Sequence, residues 1–123
     1  MSNSQHVQIY VYRLPSKNHD AMVRVMEKFT GMHRKYGTER WEILQLNSTE
    51  ALEGTTNLAG VVSASKDEEV WVEVDHYKDQ KARDWAVSAI MQDPEAGALF
   101  GEMAATLTEG YTVIMGEFIP VSP

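Results

Sequence analysis

Glu68-Glu69-Val70-Trp71-Val72-Glu73-Val74-Asp75-His76-Tyr77, running on through Lys78-Asp79-Gln80-Lys81-Ala82-Arg83-Asp84-Trp85-Ala86 to Met91-Gln92-Asp93-Pro94, is the stretch that decides the fold. Its hydrophobic period changes from two to about 3.6 within a couple of residues, which predicts a strand followed at once by a helix. Val70, Val72 and Val74 fall on one face of the strand, and Trp71, Glu73, Asp75 and Tyr77 on the other. Asp79 is placed to cap the helix and stands four residues before Arg83. Ala82, Trp85, Ala86, Ala89 and Ile90 or Met91 are expected to form the helix's buried stripe, which Pro94 closes.

Upstream, His6 to Leu14 alternates as a strand, with Val7, Ile9 and Val11 against Gln8, Tyr10 and Tyr12. Pro15 stops it, and Ser16 or Asn18 can cap the next helix. Residues 17–36 read as that helix, because Met22, Val25, Met26, Phe29, Met32, His33 and Tyr36 recur at spacings of three and four. Basic residues gather in its last turn, and Gly37 suits the position just past its end. Thr38 to Leu46 is the second strand, with Trp41 and Ile43 on one face and Arg40, Glu42 and Leu44 on the other. Residues 47–66 are the least regular part; within them Leu58 to Ala64 suits a short strand or edge segment. Downstream, Ala96 to Leu107 is a shorter helix weakened by Gly97 and Gly101, and Gly110 to Val121 is the last strand.

This order, βαβ and then βαβ with an added helical segment, describes one ferredoxin-like α+β domain over residues 1–123. Both helices are expected on one sheet face, the uniformly apolar one of Val7, Ile9, Val11, Trp41, Ile43, Val72, Val74, Ile114 and Phe118. The other face gathers Gln8, Tyr10, Tyr12, Arg40, Glu42, Leu44, Trp71, Glu73, Asp75, Tyr77, Tyr111, Val113, Met115 and Glu117. That mixture is too aromatic for a wet surface, so it is expected to close on a second copy as a dimeric α+β barrel.

The totals exclude several functions. A net charge of −7 supplies no basic field for nucleic acid and would repel anionic lipid. With no cysteine there is no disulfide, no thiolate nucleophile and no Cys-based metal site. Residues 1–6 lack a basic region followed by an apolar run, so a cytoplasmic location is expected. None of His6, His19, His33 and His76 pairs with another at a ligand spacing on one helix, so no preformed metal site and no cofactor are expected. His33, on the first helix's stripe, reads first as a packed core imidazole. No phosphate loop or nucleophile elbow occurs.

Glu73 and Asp75, two apart on one strand face, stand roughly 6.5–7 Å apart at the backbone. Such a pair forces its two pKa values apart, as general acid–base chemistry requires; the first reading, however, is structural, with Arg40 neutralising Glu42, Glu73 or Asp75 as a buried ion pair. His76, at the end of the central strand, joins Glu73 and Asp75 as a candidate proton-transfer group.

Lys66-Asp67-Glu68-Glu69-Val70-Trp71-Val72, Tyr77-Lys78, Ala82-Arg83-Asp84 and Met91-Gln92-Asp93-Pro94 together resemble the middle of a small bacterial family of unknown function, number 1428. The first strand with Pro15, the helix ending at Tyr36-Gly37 and the closing Gly116-Glu117-Phe118 are similar to it as well. The resemblance implies a homodimer of the dimeric α+β-barrel superfamily and supplies no catalytic residues. This chain departs from the family at Glu95, where members carry a basic residue after Asp-Pro, and at Gly110-Tyr111-Thr112-Val113, where they carry a Lys-Arg-Met run.

Three functions are compatible with these residues. The first is a homodimer binding a small, partly apolar molecule, with Tyr10, Tyr12, Trp71 and Tyr111 as walls and Arg40, Glu42, Glu73 and Asp75 as polar lining. The second is an enzyme, since relatives in the wider superfamily include cofactor-independent monooxygenases, isomerases and decarboxylases; here Glu73, Asp75 or His76 would move the proton. The third is an interaction module with no ligand, whose polar residues fix the register of the dimer.

Overall fold

In the computed structural model, which describes residues 5–110 and 113–121, the alternating stretch around Trp71 is strand β3, Glu68–Tyr77. β1, His6–Pro15, runs antiparallel beside it with Tyr10 opposite Glu73 and Gln8 opposite Asp75. β2, Arg40–Gln45, lies antiparallel on the other flank, Trp41 facing Asp75 and Ile43 facing Glu73. β4, Ile114–Phe118, closes the far edge against β1 and is shorter than its alternation suggests. The order β2-β3-β1-β4 is that of two interleaved βαβ units, a ferredoxin-like α+β sandwich.

A short 3-10 turn, Ser16–Asn18, leads into helix α1, His19–Lys35. Neither Ser16 nor Asn18 caps α1 through its side chain. The Asn18 amide instead donates to the Thr106 carbonyl at 3.1 Å, tying the start of α1 to a later helix. Met22, Val25, Met26, Phe29, Met32 and His33 form the buried stripe of α1, and Gly37 takes the left-handed conformation beyond it. A single turn, α2, Leu58–Val61, stands where the sequence suggested a short strand. Asn57 decides the outcome: its side chain accepts from the Ala59 N–H and donates to the Ser48 and Glu50 carbonyls, which starts a helical turn. α3, Gln80–Gln92, is capped by Asp79, which accepts from the Ala82 N–H at 2.8 Å; of its expected stripe Ala86 and Ile90 are buried, whereas Trp85 and Met91 are exposed. Asp93 ends it and caps α4, Pro94–Thr106, whose first position suits proline. No helix among the described residues is long and apolar enough to cross a membrane.

The two sheet faces are exchanged relative to the sequence expectation. The helices cover the aromatic and acidic face: Tyr12, Leu14 and Trp71 join Met22, Met26, Phe29, Ile90 and Leu99 in the core, and Gln8, Asp75 and Tyr77 are buried beside them. Only Trp41 and Ile43, among the residues expected under the helices, lie there. Val7, Ile9, Val11, Val72 and Val74 share the opposite face with Arg40, Glu42, Leu44 and His76. The reason is volume. Helices standing off a twisted sheet leave gaps that Tyr, Trp, Phe and Met fill at native density, whereas valines make a flat surface. Residues 47–66 fold back over one end of that valine face, where Ala59 and Val62 pack on Val70 and Val11. The remainder stays open, with Leu44, Ile114 and Phe118 about half exposed.

Replacing Asp79 by Ala leaves the first N–H groups of α3 without their cap. The expected outcome is a loss of about 1 kcal/mol, read as a lower urea midpoint at unchanged slope.

Candidate functional site

Where α1, α3 and α4 meet the covered face of the sheet, a cavity of about 250 Å³ remains. Its walls are Phe29 of α1, Val87, Ile90 and Met91 of α3, Phe100 and Met103 of α4, and Val113. Its polar lining comes from β1 and β3, as Gln8, Tyr10, Glu73, Asp75 and Tyr77, with His33 facing them from α1. Strand alternation puts Glu73, Asp75 and Tyr77 on one face. The stripe of α1 brings His33 over them, one helical turn beyond Phe29.

His33 Nε2 lies 3.8 Å from Glu73 Oε2. Its Nδ1 is 2.8 Å from Thr38 Oγ1, and its ring stacks on Trp41 with centroids 4.7 Å apart. Asp75 is only 2% exposed, and its Oδ1 has no hydrogen-bond partner among the described residues. At the rim, Gln8 donates from Nε2 to the Tyr10 hydroxyl at 2.8 Å and accepts at Oε1 from Arg83 Nε. Arg83 also lies 3.3 Å from Glu117, which His6 meets at 2.9 Å.

Burial sets the protonation of this group. It raises Asp75 well above the usual carboxylate range, and the neighbouring Glu73 raises it further. Burial also raises Glu73, against the opposing influence of hydrogen bonding by Asp75. It lowers His33 to about 4. Tyr77 is pushed up to about 12 by burial and then by the charge of Asp75, and Tyr10 rises for the same two reasons with Glu73 adding. At neutral pH the site therefore holds a neutral imidazole above an acid pair that retains a proton. That arrangement can give a proton, take one, or bind a polar group in a dry setting.

Of the residues singled out in the sequence, Tyr10, Glu73 and Asp75 line this cavity. Tyr12 and Trp71 do not; they are buried against each other, and Trp71 donates from Nε1 to Glu69 at 2.9 Å. Arg40, Glu42 and His76 stand on the opposite sheet face, with Arg40 3.4 Å from Glu42 and His76 3.2 Å from Glu42. Arg40 thus pairs with Glu42 and His76 and leaves the buried acids alone, because it lies on the strand face pointing away from them. Tyr111 lies outside the described residues. His33, Gln8 and Tyr77 complete the lining without having been singled out as site residues. The available signal was a polar residue on each apolar stripe, which also fits a satisfied core group.

The sequence profile described as "Protein of unknown function (DUF1428)" matches residues 5–107. No curated protein matches the chain. Among solved structures, a dimeric ferredoxin-like protein from an uncultured marine organism is similar with a TM-score of 0.66 at 9% identity, covering 98% of this chain and 99% of that one. A NIPSNAP family protein of unknown function from Agrobacterium tumefaciens gives 0.62 at 13% identity over 98% and 91% of the two chains. SnoaB, a cofactor-independent oxygenase from Streptomyces nogalater, gives 0.58 at 11% identity over 99% and 97%. Likeness at such identities carries the fold alone.

Because the fold retains protons on these acids that the unfolded chain releases above the ordinary values of 3.8 and 4.5, its stability falls as pH rises from that range until the buried acids also ionise. Asp75→Asn removes much of this penalty. In chelator-containing buffer, thermal melts should place the variant roughly 4 °C or more above the wild type at about pH 8, with the gap closing at about pH 4.

Proposed function

We propose, from the premise that the chain belongs to the DUF1428 family of proteins of unknown function, that it is a homodimer taking a small, partly apolar molecule into the cavity beneath its helices. The observation that carries this reading is the Asp75 oxygen, buried without a partner in a cavity whose other walls are mostly hydrocarbon. A buried carboxyl oxygen without a hydrogen-bond partner costs folding free energy, and a ligand's hydroxyl, carbonyl or amine would satisfy it. The volume suits a molecule larger than benzene, which fills an apolar cavity of roughly 150 Å³. A bicyclic ring with one polar substituent would lie along Phe29, Ile90 and Met103 with its polar end at Glu73, Asp75 and His33.

The second reading is an enzyme that moves a proton in the same place. Its support is the pairing of a proton-retaining acid with a neutral imidazole in one cavity, on a fold shared with a cofactor-independent oxygenase. Asp75 and Glu73 would be the proton-transfer groups, whereas His76 faces away from this cavity. A ligand-free interaction module is less well supported, since it would need no open cavity and no partnerless carboxyl oxygen.

The dimer belongs on the valine face. Val7, Ile9, Val72 and Val74 are partly exposed on this face beside the half-exposed Leu44, Ile114 and Phe118, an apolar surface of the kind partners cover, and neighbours of this fold are dimeric. Two such faces packed about a two-fold axis would close a barrel, leaving each cavity on its outer side.

Val74→Lys puts a charge into that interface. By sedimentation it should raise the dimer dissociation constant about 100-fold or more, and a wild type that is monomeric at tens of micromolar would refute the dimer. As a ligand probe, 2-naphthol should bind by calorimetry. Asp75→Asn or Glu73→Gln should weaken that binding about ten-fold with the dimer intact; unchanged affinity in both variants would refute the assignment of the polar end.

A further inference from the structure

We infer that His33, Glu73 and Asp75 form a binding site for one divalent transition-metal ion, with the cavity providing its remaining coordination positions. One donor atom from each residue lies within 4.8 Å of the other two, and among the described residues no other group of three such side chains does so. An ion with bonds of about 2.0–2.2 Å holds neighbouring donors roughly 3–3.5 Å apart. His33 Nε2 and Glu73 Oε2 stand at 3.8 Å, so small side-chain rotations close the site.

The supports of the triad are those a metal site needs. Glu73 and Asp75 project from alternate positions of β3, a central strand, and His33 comes from the last turn of α1. Thr38 Oγ1 meets His33 Nδ1 at 2.8 Å. An Nδ1–H donated there leaves the Nε2 lone pair turned toward the two carboxyls, which is how ligating histidines are usually oriented. Asp75 is almost wholly buried, and its free Oδ1 belongs to a residue lining the cavity. An ion of charge +2 balances two carboxylates, so both can ionise in a place where neither alone is well tolerated.

The donors also select the ion. An imidazole nitrogen with two carboxylate oxygens, and no thiolate, favours zinc, iron(II), manganese or cobalt over magnesium, calcium or copper(I). Three protein donors leave positions open toward Phe29 and Met103, the pattern of a reactive rather than a purely structural site. The pairs His6–Glu117, His19–Glu69 and His76–Glu42 offer only two donors each, and serve as the competing sites.

This inference goes beyond the ligand reading and does not depend on it, because an ion can bind whether or not 2-naphthol does. Chelator-treated whole protein should be titrated with Co²⁺ and followed by its visible d–d absorption. One Co²⁺ per chain is expected, displaced by Zn²⁺. His33→Ala and Asp75→Asn should each weaken it at least about 100-fold, Thr38→Val about ten-fold, and His19→Ala not at all. Absence of a d–d band at about 1 mM Co²⁺, or binding that survives Asp75→Asn, would overturn the site. The near-isosteric Asp75→Asn keeps the test decisive where His33→Ala fails to fold.

Discussion

Burial of Glu73 and Asp75 under α1 is the constraint on which the rest of the structure depends. Two carboxyls two residues apart on a central strand cannot both stay ionised beneath a layer of Met, Phe and Ile, where taking one charge out of water costs several kcal/mol. A domain of this size has only about 5–15 kcal/mol of net stability, so the pair must be neutralised. Proton retention does this in the bare protein, since the His33 that stands above the pair instead of another methionine is itself uncharged and offsets nothing. The cavity is the geometric counterpart: where Tyr12 and Trp71 fill the helix–sheet gap at one end of β1 and β3, Gln8 and Asp75 do not fill it at the other.

The open face comes from the same choice. Once the bulky and acidic residues are committed to the helices, β1 and β3 turn their β-branched positions outward, and the described residues supply no full third layer to cover them. Residues 47–66 cover only one end, through Ala59 and Val62. The ionic cluster of Arg40, Glu42 and His76 marks the other end of β2 and β3, where a charged rim would set register without crossing the valines. Covered acids and an open hydrocarbon face are thus two results of one assignment of faces.

Much of this was legible in the residues. The change of period after Tyr77, the cap at Asp79, the break at Asp93-Pro94 and the stripe from Met22 to His33 are local signals, and each element formed where its signal lay. The orientation of the sheet was not legible. Val7-Gln8-Ile9-Tyr10-Val11-Tyr12 alternates two apolar sets, and alternation says which residues share a face without saying what lies above it. Side-chain volume against the helix layer settles that question, and it appears only when α1, α3 and α4 are in place. The turn at Leu58 escaped for a related reason, because the Asn57 side chain reaches back to Ser48 and Glu50 across a loop with no periodicity.

The candidate site divides along the same line. Glu73 and Asp75 announce themselves as neighbours because the strand repeat fixes their spacing, whereas His33 reaches them through a helix packing that no spacing rule encodes. Seen alone on its stripe, an imidazole is most often a satisfied core group, and its bond to Thr38 fits that view. What distinguishes it is the company it keeps: its second nitrogen points at a carboxylate, and the next carboxylate has an oxygen with nothing to bind. A purely structural core would gain by replacing all three with hydrocarbon. Their juxtaposition at a place where helices and sheet stand apart is what the proposed site rests on.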